Sequence, residues 1–391
     1  ILINNGCGLA VQPYTVNAAP HGAILGELSG DGKLDIFCMS RSGTSTNLSL
    51  VYLNDLSLAN VKNAPGNALK FDGVNDYISI PDANNLDITT NYTIEAWINV
   101  SSFTALAGIV SKYQTVGSNG YLLRLGSSGT FSGIGFDGME TVDGILQAGK
   151  WYHIAATKSG GTRSLYVNGV AQTLTGTGIT TAVNTDELRI GSDFNGRYFN
   201  GMIDEVRIWN TARTSTEIST NNKNILGCTN TGLVAYYKFY NGTAAGSNAA
   251  YYALNDVGGD ANNGLLKNFA LTGTTSNWVE SYAMVVPTAT AATSIVTTSF
   301  TANWAAPIVG TVTNYLLDVS TSSTFASFVS GYNGLSVAGT SQSVTSLSSG
   351  TTYYYRVQAD KTSVTGQGGY SSTITATTLT FLNNIGITST Q

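Results

Sequence analysis

Histidine is nearly absent: the 391-residue chain has two, His21 and His153. A Ser-His-Asp or Cys-His relay would have to be built on one of them, and neither is flanked by a nucleophile motif such as Gly-x-Ser-x-Gly. Charge is scarce too, at 10% of residues, and the 18 basic and 23 acidic side chains are spread without runs. With no basic stripe to neutralise phosphates, nucleic acid is not an expected partner. No apolar run reaches about 18 residues, so no direct membrane insertion by a helix is expected. The three cysteines, Cys7, Cys38 and Cys228, are too widely spaced for a zinc site. Either Cys7 and Cys38 pair in an oxidising compartment and leave Cys228 single, or all three are buried thiols. Arg-Gly-Asp is missing, which gives integrin-type recognition no support.

What the chain has in quantity is turn and strand residues, including 44 Gly and 21 Tyr. That profile suits an extracellular all-β protein with many turns, long enough for several domains. Strand signals are dense between residues 66 and 221, separated by Gly-, Asn- and Ser-rich turns as a sandwich requires. The closing strand 200–209 alternates, which places Ile203, Glu205, Arg207 and Trp209 on one face and Asp204, Val206 and Ile208 on the other. A short helix is expected over 214–222 with Ser215 as its N-cap. His153 reads as a strand residue with its ring satisfied.

In Leu25-Gly-Glu-Leu-Ser-Gly-Asp-Gly-Lys-Leu-Asp-Ile-Phe37, the oxygens of Glu27, Ser29, Asp31, the Lys33 carbonyl and Asp35 recur at alternate positions, and Gly30 and Gly32 let the backbone curl around one point. Oxygen ligands from a short loop suit Ca²⁺; the alternative is a plain Asp-Gly hairpin turn. The run resembles the calcium loop of FG-GAP repeats, from which Glu27 and Ser29 depart, and implies a partial propeller blade over residues 1–62.

Four blocks in order, Ala68-Leu-Lys-Phe-Asp-Gly-Val-Asn-Asp-Tyr-Ile-Ser-Ile-Pro81, Trp151-Tyr-His-Ile-Ala-Ala-Thr157, Leu165-Tyr-Val-Asn-Gly-Val170 and Asn200-Gly-Met-Ile-Asp-Glu-Val-Arg-Ile-Trp209, resemble bacterial laminin G-like domains, the concanavalin A-like jelly roll. The resemblance implies a calcium site joining the domain's start and end through Asp72 and Asp204, with Asn75 or Asp76 nearby; otherwise Asp72 caps its turn and Asp204 takes backbone N–H groups. By resemblance to the pentraxin branch, a ligand-face site would involve Asn119, Asp193 and Asn195. Tyr113, Tyr121, Phe194, Tyr198 and Phe199 are candidates for a sugar platform. The Glu-x-Asp-x-x-Glu strand of related hydrolases is missing, and Asp204 and Glu205, adjacent on a strand, should point to opposite faces, so no enzyme activity is expected.

Residues 222–285 resemble the extension that follows such domains, packed on the sandwich. Residues 286–379 resemble a fibronectin type III domain, with Trp304 in its core and Tyr353 at the tyrosine corner, and 380–391 reads as a linker. The expected fold is thus a concanavalin A-like jelly roll flanked by a partial blade and an immunoglobulin-like sandwich. Such mosaics imply a segment of a longer secreted, cell-surface adhesin, calcium-stabilised and recognising carbohydrate or a surface protein. The alternatives are a filament or stalk subunit contacting copies of itself, and an accessory region of a polysaccharide-degrading enzyme.

Overall fold

The computed structural model describes residues 66–114, 119–226, 230–240, 242–308, 312–361 and 366–381, and before these only the backbone of five short strands. Among those five, Pro20–Gly26, Asp35–Ser40 and Val51–Tyr52 form an antiparallel three-stranded sheet. Cys7, Glu27, Ser29, Asp31 and Lys33 lie outside the described residues, as do Cys228 and residues 382–391.

Two sheets make the jelly roll. In the first, nine strands run in the order 175–176, 139–140, 134–136, 119–125, 108–114, 188–190, 77–80, 264–267, 253–254. In the second, the order is 170–172, 162–167, 151–159, 91–100, 200–209, 67–72, 277–280, with 233–237 pairing beside the far half of 200–209. Alternation builds the core: Ile78 and Ile80 of one sheet meet Ile94, Ile98, Ile154 and Leu69 of the other, all fully buried. Residues 222–285 are part of this sandwich. Leu233–Tyr237 extends Asn200–Trp209, Gly264–Lys267 extends Tyr77–Ile80, and Asn277–Glu280 extends Asn67–Asp72.

Simple alternation fails at one place in Asn200–Trp209. Asp204 faces Trp97 and Arg207 faces Glu95, so Glu205 and Val206 together oppose Ala96, with Glu205 at φ 52°. This β-bulge shifts the register by one residue. Ile203 therefore joins Val206 and Ile208 in the core, which corrects the expected face assignment.

The outer face of the eight-stranded sheet is covered along its central strands, where Tyr92–Val100 and Trp151–Lys158 are buried on both sides. The helix Ser215–Asn221 lies over it, and Trp97 donates to the Asn222 carbonyl at 2.8 Å. Its N-cap is Thr214, not Ser215, because Glu217 stands three residues after Thr214 and closes a capping box with it. The cover continues with Tyr282, Ala283, Met284, Val285 and Val286, which pack on Trp97, Trp151 and Ala359.

Ala359 belongs to the C-terminal sandwich, in which a three-stranded sheet packs on a five-stranded one around Trp304, Tyr315 and Tyr355. Tyr353 accepts the Ser348 N–H at 2.9 Å, the tie a tyrosine corner makes. This domain sits directly on the jelly roll: a Cβ on Gly369 would lie 2.9 Å from the Trp97 ring.

Candidate functional site

With one sheet face covered, the outward face of the nine-stranded sheet is the surface on which side chains converge. Tyr77 precedes buried Ile78, and Arg189 stands between buried Leu188 and Ile190, so period-two alternation turns Tyr77 and Arg189 outward. The two meet, with the Arg189 guanidinium 5.0 Å from the Tyr77 ring centre. Tyr77 also pairs with Tyr198 at 6.4 Å, and Tyr113 with Phe194 at 4.9 Å. All of these side chains are half-buried.

Asp193 welds the two aromatic pairs together. Its carboxylate is fully buried; Oδ1 accepts N–H groups from Asn195 (2.9 Å) and Arg197 (3.1 Å), and Oδ2 holds the Arg197 guanidinium. Arg197 in turn lies 5.5 Å from the Phe194 ring, while Arg189 donates to the Asp193 carbonyl at 3.2 Å. Asp193 thus shapes the loop from inside. Asn195 is exposed at the loop tip, Tyr198 faces the surface, and Asn119 keeps a buried Oδ1 without a partner. Tyr121 and Phe199 leave the expected platform: they are 1% and 0% exposed, because alternation turns them into the core.

Tyr77, Arg124, Glu140, Glu187, Arg189 and Arg197 were not singled out by the sequence, although alternation across Tyr77-Ile78 and Leu188-Arg189-Ile190 carried the signal for two of them. Both carboxylates among them are engaged by arginines, Glu140 with Arg124 at 3.9 Å and Glu187 with Arg189 at 2.7 Å.

Asp72 and Asp204 are not brought together. Asn200 pairs with Asp72, and Asp204 stands four residues further along the strand, about 13 Å away at the usual rise. Asp72 Oδ1 accepts the N–H groups of Val74 (2.8 Å) and Asn75 (3.3 Å), while Asp204 accepts from the Glu205 N–H at 2.7 Å and the Ser281 hydroxyl. These residues do not fit a single cation joining the two ends of the domain. Among the described residues, no three His, Cys, Asp or Glu side chains cluster in the manner of a metal site.

Asp76 is the carboxylate that neighbours Asp72. It is fully buried and accepts from the Asp72 N–H at 2.9 Å and the Ser276 hydroxyl at 3.0 Å. Burial pushes its pKa up to about 6 against those bonds, and the charge of Asp72 adds to the rise. The fold therefore favours the protonated form, a contribution complete below the ordinary carboxylate range and lost as pH rises through about 6. Asp76→Asn is expected to be more stable than the parent by about 1–2 kcal/mol at pH 7.5 and nearly equal to it at pH 4, read from urea midpoints. A larger gain at pH 4 than at pH 7.5 would contradict the assignment.

Beneath the helix lies a buried polar cluster. His153 is 1% exposed; its Nε2 is 3.2 Å from Glu95 Oε2 without hydrogen-bond alignment, and its Nδ1 has no partner, so the ring is not satisfied as expected. Burial lowers its pKa and keeps it neutral. Arg207 donates to Glu205 at 3.0 Å and to the carbonyls of Asn221 and Asn224, and Glu205 also accepts the Tyr236 hydroxyl. The bulge puts Asp204 beside Glu205 rather than opposite it. Burial and the Glu205 charge hold the Asp204 pKa well above the carboxylate range. Sealed under the helix, this cluster is structural.

The family model of the concanavalin A-like lectin/glucanases superfamily matches residues 72–219, and that of the fibronectin type III domain matches residues 286–377. No curated protein matches the chain significantly. A solved candidate carbohydrate binding protein from Bacteroides ovatus is 26% identical, covering 61% of this chain and 68% of its own, with a TM-score of 0.41. Domain 4 of an extracellular arabinanase from Geobacillus stearothermophilus, solved with arabinotriose, is 16% identical over 51% of this chain and 81% of its own, at 0.28. The sixth fibronectin type III domain of human fibronectin type III domain containing protein 3 is 29% identical over 25% and 89%, at 0.21. This all-β chain therefore carries a concanavalin A-like lectin/glucanase-type sandwich and, docked against it, a fibronectin type III domain.

Proposed function

We propose that the chain is a non-enzymatic carbohydrate-binding segment whose ligand lies along the outward face of the nine-stranded sheet. The observation that carries this reading is the aromatic and guanidinium surface formed by Tyr77, Tyr198, Arg189, Arg197, Phe194 and Tyr113, on a domain of the lectin/glucanase superfamily. Aromatic rings offer flat apolar area at low entropic cost and arginines offer fixed donors, the combination found at recognition hot spots. A non-catalytic role is favoured because glycoside hydrolysis requires a carboxyl pair free to act as acid and base across one bond, whereas Glu140 and Glu187 are engaged by arginines.

In its finer form the reading is an extracellular, cell-surface adhesin segment, with Ca²⁺ held in the N-terminal run by Glu27, Ser29, Asp31, the Lys33 carbonyl and Asp35. The module types support it. A second reading, a rigid spacer in a filament or stalk, is favoured by the close seating of the fibronectin type III domain at Gly369.

Affinity electrophoresis against a panel of soluble polysaccharides, with calcium and with chelator, tests the proposal. The parent is expected to be retarded by at least one polysaccharide, and Tyr77→Ala or Arg189→Ala to weaken retention about tenfold. Retention unchanged in both variants would remove the ligand from this face, and no retention by any polysaccharide would leave the spacer reading.

A further inference from the structure

The opposite sheet carries a cleft of about 490 Å³, lined by Lys70, Asn99, Trp151, Met202, Val279 and Glu280, with Tyr282 and the loop residues Ala244, Ala245 and Thr274 at its rim. Its floor is one cross-strand row: Lys70 pairs with Met202, Met202 with Asn99, and Asn99 with Trp151. The helix and Tyr282–Val286 cover the neighbouring part of that sheet face around Trp97, whereas this row opens into the cleft. The wall is supplied by Asn277–Glu280, which pairs with Asn67–Asp72.

Two floor side chains are left without partners among the described residues. Asn99 is 4% exposed and makes no side-chain hydrogen bond, and half-buried Lys70 makes neither a hydrogen bond nor an ion pair. The Asn99 amide lines the cleft, where a bound hydroxyl could use both its donor and its acceptor. Between them half-buried Met202 and Val279 give an apolar strip. One cation, Lys70, stands against one carboxylate, Glu280, which accepts the Tyr282 hydroxyl, so the cleft has no excess charge with which to select an ion. Unpaired donors and acceptors around an apolar strip complement a neutral polyol with one apolar face.

We propose that this cleft is a second binding site, taking a single pyranose unit such as a glycan chain end: hydroxyl groups would meet Asn99 and Lys70, and the apolar ring face would lie on Met202 and Val279. Its volume falls within the usual span of small-molecule sites. The choice of a sugar rests on the carbohydrate reading above; the location of the site does not. The chain would then hold glycan on two opposite sheets.

The test is saturation-transfer NMR and calorimetry on the full chain with methyl glucoside, galactoside and mannoside and with N-acetylglucosamine, comparing the parent with Lys70→Met, Asn99→Leu and Tyr77→Ala. The expected result is binding of at least one monosaccharide that survives Tyr77→Ala and falls at least tenfold in Lys70→Met and Asn99→Leu, with an unchanged unfolding midpoint in Lys70→Met. Should Asn99→Leu fail to fold, Lys70→Met decides alone. Monosaccharide binding lost in Tyr77→Ala and kept in Lys70→Met would overturn the cleft. So would silence with every monosaccharide while polysaccharide retention persists, an outcome that leaves the outward-face reading standing; silence with monosaccharides and polysaccharides alike sinks both.

Discussion

Arg207→Met is expected to lower the stability of the jelly roll by about 3–5 kcal/mol, roughly a fifth or more of what a typical domain has. The side chain is 1% exposed. Burial works against its charge, but Tyr236, Glu205 and Glu95 outweigh that and raise its pKa. Methionine fills a similar volume, so the effect isolates charge and hydrogen bonding. It would leave the Glu205 carboxylate, hydrogen-bonded to Arg207 at 3.0 Å, and Glu95, 4.0 Å away, buried without that cation. It would also strip the guanidinium from the carbonyls of Asn221 (3.1 Å) and Asn224 (2.7 Å), the contacts that hold the end of the helix on the sheet. Neutralising the acids at the same time should restore part of the loss, since the penalty lies in unpaired charge. Urea denaturation of Arg207→Met, and of Arg207→Met with Glu95→Gln and Glu205→Gln, measures both terms. A single-variant cost below about 1 kcal/mol would mean that the acids are not held by Arg207.

The same cluster shows where sequence reading stops. Alternation gave the sandwich because Ile78, Ile94, Ile98 and Ile154 mark one face of each strand. The reading assumes that the other face meets water, yet Tyr92 through Val100 are all buried. Under the helix Glu95 accepts the Trp209 indole N–H at 2.7 Å and stands 4.0 Å from Arg207, and nothing local in Thr-Ile-Glu-Ala-Trp announces partners more than a hundred residues away. The bulge at Glu205 was hidden for the same reason: a positive φ at a non-glycine residue is imposed by pairing on both sides, not by the residue itself. The outward face was half legible. Tyr113, Phe194 and Tyr198 stood out as loop aromatics, but Tyr77 and Arg189 looked like ordinary alternating strand positions. The resemblance implied one site for Asp72 and Asp204; the register, with Asn200 opposite Asp72, separates them.

Trp278→Ala is expected to cost about 3 kcal/mol or more, near the low end for a large core truncation. The indole is fully buried among the residues of the main core, on a strand that pairs with Asn67–Asp72 through Trp278 and Leu69. Its fit is close: a Cβ on Gly242 would lie 2.3 Å from the ring, and Tyr251 packs edge-on at 6.5 Å. The loss is tempered because the indole N–H is itself buried without a partner, and removing it relieves that penalty. The variant also decides where the domain ends. The family match stops at residue 219, whereas the strands 264–267 and 277–280 close on Tyr77–Ile80 and Asn67–Asp72 and bring Trp278 into the core. If residues 222–285 complete the jelly roll, Trp278→Ala shifts its cooperative transition as a whole to lower denaturant. If they are separable, the variant produces an early, separate transition and leaves the main midpoint in place. Only the first outcome is consistent with a core shared between residues 67–219 and residues 222–285, and with a cleft whose floor comes from the first part and whose wall comes from the second.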